Sequence, residues 1–162
     1  MTTADPHGPA PVGVPASLAL VVGGVCFAAL SILGLGMASF FTNTDVISVE
    51  GLSMWPGIVG MIVAIILYGI VLGVQLRPQH PRFSAAILAA LVAVVGHLIA
   101  VWVSAMADSA GYAHAFAAIA QLITGGSSAV LLVSGLLAGL LAVALRRSRG
   151  GTPRWPWERH GT

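Results

Sequence analysis

Four long apolar segments separated by short polar stretches dominate the pattern of hydrophobic and polar positions along the chain. They cover about 16–40, 54–76, 83–106 and 112–145, and none contains an aspartate, glutamate, lysine or arginine. An α-helix rises about 1.5 Å per residue, so about 20 apolar residues cross the roughly 30 Å hydrocarbon core of a bilayer. The pattern therefore predicts an all-α integral membrane protein built as a four-helix bundle.

The fourth apolar segment is longer than a membrane requires, and it contains the step Gly125-Gly126. Its outer part would lie along the interface, or the helix would bend at the two glycines. Outside the spans, residues 1–15 are rich in proline and glycine and predict a disordered cytoplasmic leader. Residues 146–162 form a cytoplasmic tail rich in arginine and tryptophan.

Charge is scarce and unevenly distributed, which indicates both the class of protein and its orientation. Of the 162 residues, 57% are hydrophobic and 7% are charged, whereas soluble proteins carry about 25% charged residues. All seven basic residues are arginines in the loop 77–82 or the tail 146–159, and the other two loops carry acids without a basic residue. The positive-inside rule predicts that both termini face the cytoplasm from the cell membrane. The pattern does not indicate the folded basic patch that binds nucleic acid.

Small residues recur along the spans at helical spacing, which predicts the contact faces of the helices. Close packing in lipid relies on small side chains, because helices gain little there by hiding apolar surface. Two G-x-x-x-G motifs stand out, and the stripe of the fourth span extends further. The residues expected at a packing or partner interface are Gly69, Gly73, Gly125, Ser128, Gly135 and Gly139. Packing within the bundle is the preferred interpretation, and contact with a partner protein is the alternative.

His97 is the one histidine deep inside a predicted span. Ionisable residues in a membrane are candidates for function, so a haem or metal ligand or a proton relay is one hypothesis. The structural alternative is a neutral imidazole bonded to a neighbouring helix, and we prefer it because no carboxylate lies deep in a span to complete a relay. His97 stays the cofactor-binding candidate, while neither a bound cofactor nor a metal site is expected. The lone Cys26 excludes an intramolecular disulfide and a site built on cysteine pairs.

Catalytic motifs are missing from the sequence. It contains no G-x-S-x-G, Walker loop, H-E-x-x-H or C-x-x-C, so no catalytic residue is assigned. The fourth span is the most polar, which leaves open a water or substrate path. Its polar residues are Gln121, Thr124, Ser127, Ser128 and Ser134.

The tail carries groups that suit a membrane surface. Arg146, Arg147 and Arg149 follow the last span directly, where anionic lipid attracts each cation by about 1 kcal/mol. Trp155 and Trp157 would return to the headgroups as an anchor. The alternative is that the tail is a docking peptide for a cytoplasmic partner.

In its alanine-, valine- and glycine-rich spans, its arginines without lysine and its Arg/Trp/Pro tail, the chain resembles small four-span proteins of unknown function from actinobacteria, mycobacteria included. Some small membrane proteins of that kind are accessory subunits of respiratory supercomplexes or of envelope lipid-import machines. The resemblance implies a non-enzymatic accessory or assembly subunit, with larger integral membrane proteins and anionic lipid as partners. The alternatives are a small oligomeric transporter or channel, and a haem- or metal-binding protein using His97.

Overall fold

The fold is helical throughout the part of the chain that the structure, a computed structural model, describes: residues 14–43, 53–78, 80–108 and 111–148. The helices are α1 (Ala16–Thr42), α2 (Trp55–Gln75), α3 (Ser84–Ala107), α4 (Gly111–Thr124) and α5 (Ser127–Arg147). All but α4 are long and apolar enough to cross a membrane. The predicted all-α architecture with four membrane-spanning helices is confirmed. The expected leader, apart from its last two residues, and the tail beyond residue 148 lie outside the described residues.

The four long helices form a closed ring in the order α1, α2, α3, α5. The largest contact joins α2 to α3, followed by α1 with α5 and α3 with α5, and α1 meets α2 over a smaller area. Helix α4 packs mainly on α3 and touches α5 only lightly. Many small residues face the inside of the ring, together with larger side chains such as Tyr68, Phe27 and Leu72, while most bulky aliphatic side chains remain exposed on the outside, where they suit lipid.

The predicted fourth span, 112–145, is two helices that meet at the glycine step. Gly126 has φ +81°, a left-handed conformation that glycine adopts without strain, and it stops α4. Gly125 N–H donates to Gln121 O at 2.7 Å, and the Ser128 hydroxyl reaches back to Leu122 O at 3.1 Å. The break therefore satisfies carbonyls at the end of α4 with local donors. Of the two alternatives for the long fourth segment, the structure therefore has the bend at the two glycines.

The centre of the bundle is built around Tyr68. Its ring stacks on Phe27 of α1, with centroids 4.3 Å apart, and its hydroxyl donates to Gly135 O of α5 at 3.1 Å. A phenol buried in lipid needs such an acceptor, because no water is present to supply one. Tyr68 thereby connects three of the four ring helices.

Candidate functional site

The end of the bundle at which α1 begins and α5 stops is held by Arg146. Its Nε donates to Leu76 O at the end of α2 (3.3 Å), and its Nη1 donates to Val14 O before α1 (3.0 Å). The Leu76 carbonyl lies at the C-terminal end of α2, where helical carbonyls have no partner within the helix. The Val14 carbonyl lies in the segment that precedes α1. Arg146, predicted as an anchor to lipid or partner, thus also ties three chain segments together. We call this end the arginine end.

The other described arginines of the arginine end are open to the surroundings. Arg147 lies over the Phe83 ring, 4.8 Å from its centroid, and remains exposed. Arg77 and Arg82 are exposed in the loop between α2 and α3. Together Arg77, Arg82 and Arg147 form a basic rim around the arginine end. The other three predicted anchors, Arg149, Trp155 and Trp157, lie outside the described residues.

The predicted glycine interface residues divide by place. Gly135 and Gly139 face α3 so closely that a Cβ on either would stand 2.8–3.0 Å from an alanine Cβ, at Ala90 or Ala86. Gly73 faces Leu20 of α1, 3.2 Å from the position of a Cβ. Gly69 has open space beside it. The remaining two of the six, Gly125 and Ser128, belong to the break between α4 and α5 and not to a packing seam.

His97 is 5% exposed and lies between α3 and α2. A Cβ on Gly60 of α2 would stand 2.9 Å from His97 Nδ1, so the glycine makes room for the imidazole. Nδ1 lies against the Gly60 backbone but forms no well-aligned hydrogen bond with the described residues. Among those residues no group of three His, Cys, Asp or Glu side chains could hold a metal ion. The other histidine within the helices, His114, is exposed on α4.

Two further buried polar atoms lack a partner among the described residues: Ser31 Oγ and Trp102 Nε1. Ser31 lies one turn beyond Phe27, and Trp102 lies beyond His97 on α3 with its ring edge-on to Phe116 of α4. All three unsatisfied atoms therefore lie in the half of the bundle away from the arginine end. Sequence analysis did not single out Ser31 or Trp102, because their burial depends on which helices become neighbours.

The depth of the helix break follows from the register of α3 and α5. Gly135 packs on Ala90, and the two helices are antiparallel, so Ser127 lies at about the depth of His97. That position is roughly 15 Å short of the end of α3 at Ala107. The start of α5 is therefore recessed below the outer end of the bundle, the end opposite the arginines.

A groove on the lipid-facing side of α1 and α5 begins at the start of α5. We call it the outer groove; it has a volume of about 480 Å³. Its walls are apolar apart from Ser134, and no sequence pattern predicts it, since it depends on where α1 and α5 diverge. The lining residues are Leu30, Leu33, Gly34, Met37, Ala129, Val130, Val133, Ser134 and Leu137.

A polar link closes the outer end between α2 and α3. The Ser53 hydroxyl and Ser53 N–H both donate to Asp108 Oδ2, at 2.6 and 3.0 Å. These bonds, the hydroxyl first, hold the pKa of Asp108 below its usual value. Helix α2 begins without a side-chain cap, and Ser53 binds the end of α3 instead.

Four apolar spans, an arginine end and a core without a charged residue among the described positions define a small multi-pass helical membrane protein. The chain belongs to DUF6121, a family of unknown function, whose match covers residues 15–162. No curated protein and no solved structure matches the chain.

Proposed function

We propose that this chain is a non-enzymatic accessory or assembly subunit of a larger membrane complex, of the respiratory or envelope lipid-transport type. In this proposal it lies in the cell membrane of an actinobacterium, with the arginine end toward the cytoplasm, and the basic rim holds anionic lipid. The arginines of that rim carry the orientation through the positive-inside rule.

One contrast between glycines of the same kind of motif carries the proposal. Gly135 and Gly139 pack inside the bundle against the alanines of α3. Gly69 lies partly exposed on α2, and a Cβ added to it would have no atom within 4 Å. A small residue on a lipid-facing helix allows a second helix to approach closely. The surface around Gly69 therefore suits a helix of a larger integral membrane protein.

The test is a pull-down of the tagged native protein in mild detergent, with mass spectrometry of the eluate. We expect stoichiometric larger membrane proteins with the wild type and their loss with Gly69→Leu. Gly36→Leu is the matched control, since Gly36 also has open space and lies elsewhere, near the outer end of α1. A wild-type eluate containing only a homo-oligomer would overturn the proposal.

A small oligomeric transporter is the second candidate, and the helix break favours it. Discontinuous helices bind substrate in several transporter folds, at half-helix ends inside the membrane. The core toward the arginine end is apolar, with Leu72, Leu76 and Val143 fully buried, so a route within one copy finds no polar lining there. Solute flux in liposomes by a purified homo-oligomer would favour this candidate. The haem alternative through His97 predicts a Soret band that is lost in His97→Ala.

A further inference from the structure

We propose that the outer groove binds one phospholipid of the leaflet opposite the arginine end, with its phosphate on the amides that begin α5 and an acyl chain along α1 and α5. This site is separate from the basic rim and does not depend on the proposed accessory role.

The start of α5 presents unpaired hydrogen-bond donors. The first amides of any helix have no partner within the helix. Among the described residues, no backbone acceptor and no side-chain cap is bonded to the amides of Ser127, Ser128 and Ala129, whereas Val130 N–H donates to Gly126 O. The end of α4 is different, because its carbonyls accept from Gly125, Gly126 and Ser128. The break thus leaves a local excess of donors with the partial positive charge of a helix N-terminus.

Two serines on the same helix have hydroxyls that remain accessible and are not among the three buried unsatisfied atoms named above. Ser127, at the start of α5, and Ser134, in the lining of the outer groove, are each 5% exposed. Neither hydroxyl forms a hydrogen bond with the residues that the structure describes, whereas Ser128 beside them does. A serine hydroxyl can both donate and accept a hydrogen bond. A ligand with polar atoms of its own would supply what the chain does not.

These donors lie in a recess below the outer end of the bundle. Ser127 lies at about the depth of His97, which is 15 residues, or about 22 Å, along α3 from Arg82 of the basic rim. Helices α1 and α3 continue past the amides, so a headgroup that binds them is drawn in from the side, below the outer end of α3.

The outer groove continues directly from this recess. Ala129 and Val130 belong both to the first turn of α5 and to the groove lining, which extends to Leu137. Eight residues correspond to about 12 Å, along which the upper part of an acyl chain would lie. A charged end at a helix N-terminus above an apolar channel is complementary to a phospholipid, which carries an anionic phosphate above an aliphatic chain. Neither a transmembrane helix nor a diacylglycerol offers the phosphate.

The test adds single lipids to the full chain in detergent and follows both thermal unfolding and lipid adducts by native mass spectrometry. We expect phosphatidylglycerol to stabilise the protein and to remain bound as one copy. Diacylglycerol with the same chains, and inorganic phosphate, should each protect less, because each offers half of the ligand. Equal protection by diacylglycerol or by phosphate alone would overturn the proposal, as would a lipid-free dimer that occupies the groove.

Two pairs of variants separate the parts of the site. Val133→Trp fills the groove and should abolish the adduct, whereas Val95→Trp is the control, at 54% exposure on α3 against 53% for Val133. Ala129→Glu places a carboxylate on the free amides, stabilises the helix start and should weaken phosphatidylglycerol binding roughly three- to tenfold relative to Ala129→Gln. Retained binding in Val133→Trp, or equal binding in Ala129→Glu and Ala129→Gln, contradicts the assignment even if the protein proves to be an accessory subunit.

Discussion

Replacing Gly139 by alanine probes the contact between α5 and the backbone of α3. The added Cβ would stand 2.8 Å from Ala86 Cβ and 2.9 Å from Ala86 Cα. Because one of these atoms belongs to the backbone of α3, a side-chain rotation cannot relieve the clash, and the two helices must separate. Overpacking of this kind costs about 1–3 kcal/mol. Alanine also favours a helix over glycine by about 0.5–1 kcal/mol, which offsets part of that cost.

Gly69→Ala is the matched control, because it brings the same helix gain into open space. The difference between the two variants cancels the helix term and isolates the overpacking, about 1–3 kcal/mol in the free energy of unfolding. We would measure both by unfolding in mixed micelles at increasing SDS, followed by circular dichroism. If the two variants agree to within about 0.5 kcal/mol, the α3–α5 contact is looser than these distances, and the register taken from it is wrong.

Three further perturbations test other contacts. Tyr68→Phe removes the hydroxyl bond to α5 and should lower the free energy of unfolding by about 0.6 kcal/mol, and at most about 1.7, in the same titration. Arg146→Met removes a donor shared by two carbonyls and should cost about 1–3 kcal/mol, while Arg147→Met should cost less than about 1, and equal losses would contradict the structure. Hydrogen bonds from Ser53 lower the pKa of Asp108, so this link stabilises the fold at pH values above the unfolded pKa of about 3.9. The stabilisation is lost as the pH falls through the lower pKa of the folded state. The melting temperatures of the wild type and Asp108→Asn should therefore converge at acid pH.

The recessed helix start shows why the proposed phospholipid site was hard to foresee from the sequence. The sequence marks Gly125-Gly126 as a weak point in a long apolar segment, and it marks the serines beside it as polar. It does not say that these groups stop short of the outer end of α3, since that depends on the register of Gly135 on Ala90. The depth of a group in the membrane depends on how the helices pack. Whether the amides that begin α5 can meet a ligand therefore depends on the neighbouring helices and cannot be read from the sequence.

The two glycine motifs show the same dependence on tertiary neighbours. Gly69 and Gly139 occur in the same motif with the same spacing, and sequence reasoning assigned them one role. The structure places one in open space and the other against the backbone of α3. A small-residue motif allows a second helix to approach closely. The packing of the helices around the ring decides which of the two motifs forms a contact within the bundle.

The amino-acid sequence alone establishes that this protein folds in a lipid bilayer and how many helices cross it. Uncharged segments of 20 or more residues are stable only in lipid, and this requirement acts on each helix separately. Other features arise only in the folded chain: the closure of the ring, the burial of His97 against Gly60, the role of Arg146 as a clamp, and the groove between α1 and α5. These depend on pairs of residues far apart in the chain, whose contacts arise from the shapes of whole helix faces and not from any local pattern.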